Sequence, residues 1–272
     1  MKDYLAEIVR ERAPRDAVHA MREYLQSRIL TSLQDQGAWA SLAFMGGTAL
    51  RFLFRLPRFS EDLDFALENR SAGYDFDRLL RTVGADLLRE GYSADVKVAT
   101  GSTVNKAFVR FRGLEHDVGL SPHVDKVFSV KVEVDTNPPD GAGLATTTVR
   151  RYGTLRLTHH DKSSLVAGKI AAVLMREWTK GRDVYDLVWY LSDVTWPEPN
   201  ETLLRNALLQ GDRPDLATAD RAWQDALVSR LRSAPWDHVL LDVERFLERP
   251  EERWMVERET VLGVLADRGW TS

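Results

Sequence analysis

Apolar residues recur at helical spacing through residues 15–35, at Val18, Met21, Leu25, Ile29, Leu30 and Leu33, and predict a first helix with Asp16 as its N-cap after Pro14. A short apolar run over 41–45 follows and is stopped by Gly46-Gly47, after which Thr48 is placed to cap a short helix over 49–54. Strands are predicted at 62–67, 95–99, 105–112 and 126–135, with a helix at about 75–89 between the first two. Alternation is clearest in the last strand.

The pattern then changes. Turn residues gather in Asn137-Pro138-Pro139-Asp140-Gly141, a hydroxyl- and arginine-rich segment covers 146–158, and the rest of the chain reads as helices at 162–179, 182–191, 201–209, 219–232, 236–247 and 253–268. This predicts an α+β protein: a domain over 1–150 with a small mixed sheet and an N-terminal helix, then a helical domain over 151–272. The tryptophans, Trp178, Trp189, Trp223, Trp236 and Trp254 among them, stand at helical spacing among apolar neighbours and read as packing anchors.

With 272 residues and 44% hydrophobic content the chain can bury a proper core. Cysteine is absent, which excludes disulfides, thiolate metal sites and a cysteine nucleophile, and leaves oxygen and imidazole ligands. No uncharged apolar run approaches membrane-spanning length, so a soluble, cytoplasmic protein, read as a monomer, is expected. The net charge of -4 argues against a wholly basic nucleic-acid coat but allows a local basic surface, for which Arg150, Arg151 and Arg156 are candidates.

The chemistry concentrates in one segment. Asp62 and Asp64 stand at i and i+2, so on a strand both carboxylates face one way while Leu63 and Phe65 face the core. Two aligned carboxylates repel, and a hard cation such as Mg²⁺ with a bound nucleotide is their natural compensation. An Asp-x-Asp pair alone is more often a solvated edge; the glycine turn and helix start at Gly46, Gly47 and Thr48, suited to a phosphate, shift that balance. Arg51, Arg55 and Arg58 add positive charge, and Ser60 lies two residues before Asp62.

Farther on, Lys131, Glu133 and Asp135 share one face of the alternating strand, opposite Val130, Val132 and Val134. Lys169 interrupts an apolar helical face, a place from which a lysine ordinarily snorkels to solvent, and Arg176 follows seven residues on, ahead of Lys180, Arg182, Asp183 and Asp186. His159 and His160 are adjacent and cannot both face one site on a regular element, so they read as surface or capping residues rather than zinc ligands.

The run Gly46-Gly47-Thr48-Ala49-Leu50-Arg51 followed by Arg58-Phe59-Ser60-Glu61-Asp62-Leu63-Asp64-Phe65 resembles the first motif of AbiE-type (AbiEii/MenT-like) nucleotidyltransferase toxins of the polymerase β superfamily. Ala167 with Lys169, then Arg182-Asp183 with Asp186-Leu187, resemble its later motifs; Gly168 departs from them, since larger residues commonly precede the lysine. The resemblance implies a polymerase β-like nucleotidyltransferase domain, Mg²⁺ (or Mn²⁺ in its place) held by Asp62, Asp64 and a third carboxylate, Glu133 or alternatively Asp135, and a nucleoside triphosphate as substrate. It implies nucleotide contacts by Gly46, Gly47, Thr48, Arg58, Ser60, Lys169 and Arg182, with Lys169 on the triphosphate and Asp183 serving the site, while Asp186 makes a structural bond. It further implies the 3′ end of tRNA as acceptor, a block of translation and growth, and a cognate antitoxin. Two competing readings are transfer to a protein or small-molecule acceptor, and a silent nucleotide-binding module whose carboxylates pair with Arg51 or Arg58.

Overall fold

The computed structural model describes residues 2–101, 103–219 and 221–271. The chain forms two compact units. One comprises the chain up to Phe54, with Phe59–Pro138 and Thr146–His159; the other comprises Arg55–Arg58, Pro139–Ala145 and the chain from His160 onward. The boundary expected near residue 150 is therefore displaced, because the hydroxyl-rich segment continues the sheet, and two short stretches before it belong with the helices.

The first unit is built on strands β1 (Leu42–Met45), β2 (Leu63–Leu67), β3 (Ala94–Ala99), β4 (Val104–Arg112), β5 (Val127–Asp135), β6 (Leu144–Arg150) and β7 (Thr154–His160). They form a seven-stranded mixed sheet in the order β3-β4-β5-β2-β1-β7-β6. β2 runs antiparallel to β1 and parallel to β5, and β1 runs parallel to β7. Helices α1 (Lys2–Arg10), α2 (Pro14–Asp35), α3 (Gly46–Phe54), α4 (Phe76–Arg89) and the short α5 (Leu114–Asp117) complete the unit.

α2 begins at Pro14, with Ala13 as the extended N-cap and Asp16 in the first turn, because the fixed φ of proline suits N1 and its missing N–H costs nothing there. Asp16 is thus not the cap. α1 is obscured in the sequence by its charges, although Leu5, Ile8 and Val9 keep helical spacing and are buried, and Tyr4 meets Tyr24 of α2 edge-on at 5.7 Å. Buried Glu23 of α2 accepts hydrogen bonds from Arg51 of α3 and, at 2.6 Å, from Arg151 in the β6–β7 connection. One carboxylate thereby joins three elements, and Arg151 is committed to it rather than to an open basic surface.

The second unit contains α6 (Lys162–Met175), α7 (Gly181–Leu191), α8 (Glu201–Gln210), α9 (Pro214–Thr218), α10 (Ala222–Arg232), α11 (Trp236–Glu244) and α12 (Arg258–Asp267). α6 stops before the expected residue 179: Arg176 is already extended, and its carbonyl is taken by the Arg230 guanidinium. The region expected as one helix over 253–268 is a 3-10 turn, Pro250–Val256, ahead of α12. Trp189 packs edge-on against Trp196 at 4.8 Å and Trp223 against Trp270 at 5.0 Å, whereas Trp178 and Trp254 are more than half exposed. Among the described residues no helix is long and apolar enough to cross a membrane.

Candidate active site

Leu63 and Phe65 are fully buried, which turns Asp64, and Asp62 immediately before β2, to the opposite side. Asp64 is paired in register with Met45 of β1 on one side and with Glu133 of β5 on the other. Glu133 is therefore the acid beside Asp64. Asp135 lies opposite Ala66 instead; burial and nearby Glu68 push its pKa up despite a bond from the Asn137 N–H at 2.9 Å.

Gly46 follows Met45 directly, with φ of 77°, and starts α3 without an intervening loop. A Cβ there would lie 2.5 Å from Asp64 Oδ2, so only glycine lets the backbone approach the carboxylate this closely. Thr48 does not cap the helix. It is fully buried, and its hydroxyl donates to the Asp62 carbonyl, fixing the chain as it enters β2. Gln26, a buried polar residue on the apolar stripe of α2, does similar work by donating to the carbonyls of Ser60 and Glu61, each at 3.0 Å. No motif marks Gln26; its position among Met21, Leu25, Ile29 and Leu30 is the one signal the sequence offers for it.

The acids are accompanied by lysines. Lys131, two residues before Glu133 on the same strand face, places its ammonium 2.6 Å from Glu133 Oε2, and Lys106, directly opposite on β4, reaches Oε1 at 3.4 Å. Burial works against the Lys131 charge, but the bond and charge of Glu133 and the charges of Asp62 and Asp64 outweigh it and hold its pKa above the ordinary lysine value. Among the described residues no three acidic or histidine side chains converge as a ready metal cage. Asp62 and Asp64 fit a hard cation by donor type and direction, whereas Glu133 is engaged by both lysines as it stands.

A second cluster lies in the helical unit. Lys169 of α6 does not snorkel: its side chain is 14% exposed, and its Nζ lies 2.9 Å from Asp183 Oδ1 and 2.7 Å from Asp186 Oδ2. The two acids, three residues apart, share a face of α7. Gly181 opens that helix where a Cβ would strike the Val239 carbonyl of α11, at 1.9 Å, so glycine permits the close docking of α7. Arg58 is 2% exposed, and its guanidinium forks onto Asp186, with both bonds at 2.6 Å. The nucleotide contact expected of Arg58 is contradicted by this burial, and Asp186 is its structural partner. Arg182 turns towards α11, where its N–H meets Asp242 at 3.2 Å and its guanidinium lies 4.2 Å from the centre of the Phe246 ring.

Burial opposes the charge on Lys169, but Asp183 and Asp186 overcome it and keep its pKa raised. For Asp183 burial favours the neutral acid, yet Lys169 and Arg176 prevail and bring its pKa from 3.8 down to about 2. The stabilisation from ionised Asp183 is thus fully present above about pH 4 and is lost as pH falls towards 2. The expected result is a loss on the order of 2 kcal/mol across that window, attributable to this group. Urea unfolding of wild type and Asp183→Asn from pH 6 to pH 2.5 tests it: the variant should start less stable and decline less steeply.

The histidines end β7 as buried residues; His159 Nε2 sits 2.9 Å from the Thr147 hydroxyl. They are neither surface groups nor helix caps.

The seven-stranded mixed sheet with a helical C-terminal part is a fold that solved nucleotidyltransferase structures share. MenT4, a nucleotidyltransferase toxin from Mycobacterium tuberculosis H37Rv, shares it with a TM-score of 0.59 at 18% identity, over 99% of this chain and 92% of that one. JHP933 from Helicobacter pylori shares it with a TM-score of 0.51 at 16% identity, over 92% of this chain and 94% of that one. The family described as nucleotidyl transferase AbiEii toxin, type IV toxin–antitoxin system, matches residues 28–258, and the chain belongs to that family. No curated protein matches it at a significant level.

Proposed function

We propose that the protein transfers a nucleoside monophosphate from a nucleoside triphosphate to the 3′ end of tRNA, acting in the cytoplasm as a monomer until a cognate antitoxin restrains it. The placement of Asp64 beside Glu133, with Asp62 on the same side of the strand and Gly46 held against Asp64, carries this reading. Asp62 and Asp64 would hold Mg²⁺, or Mn²⁺ in its place, which when bound supplies charge neutralisation at the phosphates. The acceptor 3′ oxygen bonds to the α-phosphorus, the bond from that phosphorus to the bridging oxygen breaks, and pyrophosphate leaves. Glu133 is the carboxylate assigned to the hydroxyl proton. The N–H groups at the start of α3, at Gly46 and Gly47, favour an anion. Lys169, kept charged by Asp183 and Asp186, is assigned to phosphate binding, with Asp183 aiming its ammonium.

The test incubates the protein with Mg²⁺, each labelled nucleoside triphosphate in turn and total tRNA, beside Asp62→Ala, and resolves the products on a denaturing gel. Labelled tRNA that disappears in the variant is the expected result. Label on a protein or small molecule but not on tRNA would overturn the acceptor. No Asp62-dependent label anywhere would overturn the transferase.

A further inference from the structure

Glu133 stands beside Asp64 in the β2–β5 register, yet both its oxygens face lysines: Oε2 meets Lys131 at 2.6 Å and Oε1 meets Lys106 at 3.4 Å. The two lysines are not equivalent. Lys106 is half exposed, on the β4 side of Glu133 and away from Asp64, whereas Lys131 has 28% of its side chain exposed and lies one register step from Glu133 towards Asp62. The parallel pairing of Leu63 with Val132 puts Lys131 level with Asp62. Lys131 therefore bonds Glu133 and lies within electrostatic reach of Asp62 and Asp64, like charges that repel one another.

We propose that Lys131 is a built-in counter-cation of the acidic site: its ammonium bonds Glu133, offsets the charge of Asp62 and Asp64 before metal arrives, and opposes the charge of an arriving divalent cation. The inference rests on the reading of Asp62 and Asp64 as metal-holding residues. Lys131 and a divalent cation are rival counter-charges for the same acidic cluster, so metal affinity before nucleotide binding is held down, and the lysine acts as a positioning residue rather than as a reacting one.

The test uses the full chain without nucleotide and Mn²⁺ alone as the probe, with the free ion followed by electron paramagnetic resonance. Lys131→Met should bind Mn²⁺ roughly ten- to a hundredfold more tightly than wild type, because it removes a unit positive charge from beside the carboxylates that would hold the ion, in a partly screened setting. Lys106→Met, farther from Asp62 and better solvated, should shift affinity less. Asp62→Asn should weaken binding in either background. Thermal melts confirm the fold; if Lys131→Met loses its cooperative transition, Lys131→Gln supplies the same neutral test with a hydrogen-bonding side chain. Unchanged or weaker Mn²⁺ binding in the folded neutral variant, with Asp62 dependence intact, overturns the role of Lys131 and leaves the transferase reading standing. Absence of Asp62-dependent Mn²⁺ binding in both wild type and variant overturns the metal site and this inference together.

Discussion

Asp186→Ala is expected to cost about 3–5 kcal/mol of stability, because it takes from a buried guanidinium the carboxylate that accepts two of its hydrogen bonds. Asp186 has no exposed surface, and Arg58 takes both its oxygens while Lys169 lies 2.7 Å from Oδ2. Lys169 retains Asp183, but the Arg58 fork loses its acid where water cannot replace it. The short stretch Arg55–Arg58 is secured by this pair, by the bridge between Arg58 and Leu247, and by the Glu248 N–H bond to the Pro57 carbonyl at 3.3 Å. Equilibrium urea unfolding measures the loss. Asp186→Asn, which keeps the shape and one acceptor, should lose less. The double variant Arg58→Met with Asp186→Leu should recover much of the loss, since a well-packed apolar pair avoids the desolvation that the ion pair incurs. A single Asp186→Ala variant within about 1 kcal/mol of wild type would show that the pair is solvated in practice.

That pair also marks where a sequence stops being informative. Arg58 and Asp186 are 128 residues apart, and nothing local to either indicates that they meet. Arg58 stands only four residues before Asp62, so the resemblance assigns it to the nucleotide; in the fold it belongs with the helices. Local pattern serves better where one face is buried and the other is not. β5 alternates cleanly, β2 opens with the same alternation at Leu63, Asp64 and Phe65, and α4 has a plain apolar face at Leu79, Leu80, Val83 and Leu87, which is why the pattern places both strands and the helix to within a residue or two. β6 and β7 escape it. In β6 Thr146, Thr147 and Thr148 replace apolar alternation at the edge of the sheet, where β-branched hydroxyl residues suit a strand but leave no hydrophobic period. In β7 a signal is present, since Leu155, Leu157 and His159 alternate inward. The acid pair, its glycine and Lys131 beside Glu133 are legible because the chemistry is local; Lys106 opposite Glu133 and the bond from Thr48 depend on strand register and on the return of the chain, which spacing does not reveal.

Gly46→Ala should reduce nucleotide transfer by about a hundredfold or more, since an error near 1 Å in a reacting constellation is enough for such a loss. Two effects act together. At φ of 77° an L-residue costs about 1–2 kcal/mol of backbone strain, and relieving it turns the start of α3 away from its present course. The added methyl would also meet Asp64 Oδ2 at 2.5 Å, with Cβ and Cγ of the same side chain at 3.1 Å, so the whole carboxylate has to move and cannot simply rotate aside. Gly168→Ala provides the contrast: that glycine is inside α6, has open space where a methyl would stand and an ordinary helical backbone, and alanine there should stabilise by about 0.5–1 kcal/mol while transfer continues. Rates of label incorporation into tRNA, read beside thermal melts, separate displacement from unfolding. A folded Gly46→Ala protein with near wild-type transfer would mean that Asp64 has room to move without consequence, and the close approach of Gly46 would then be a packing feature only. A folded but inactive variant would place the glycine in the working geometry, because stability and chemistry would have parted at one methyl group.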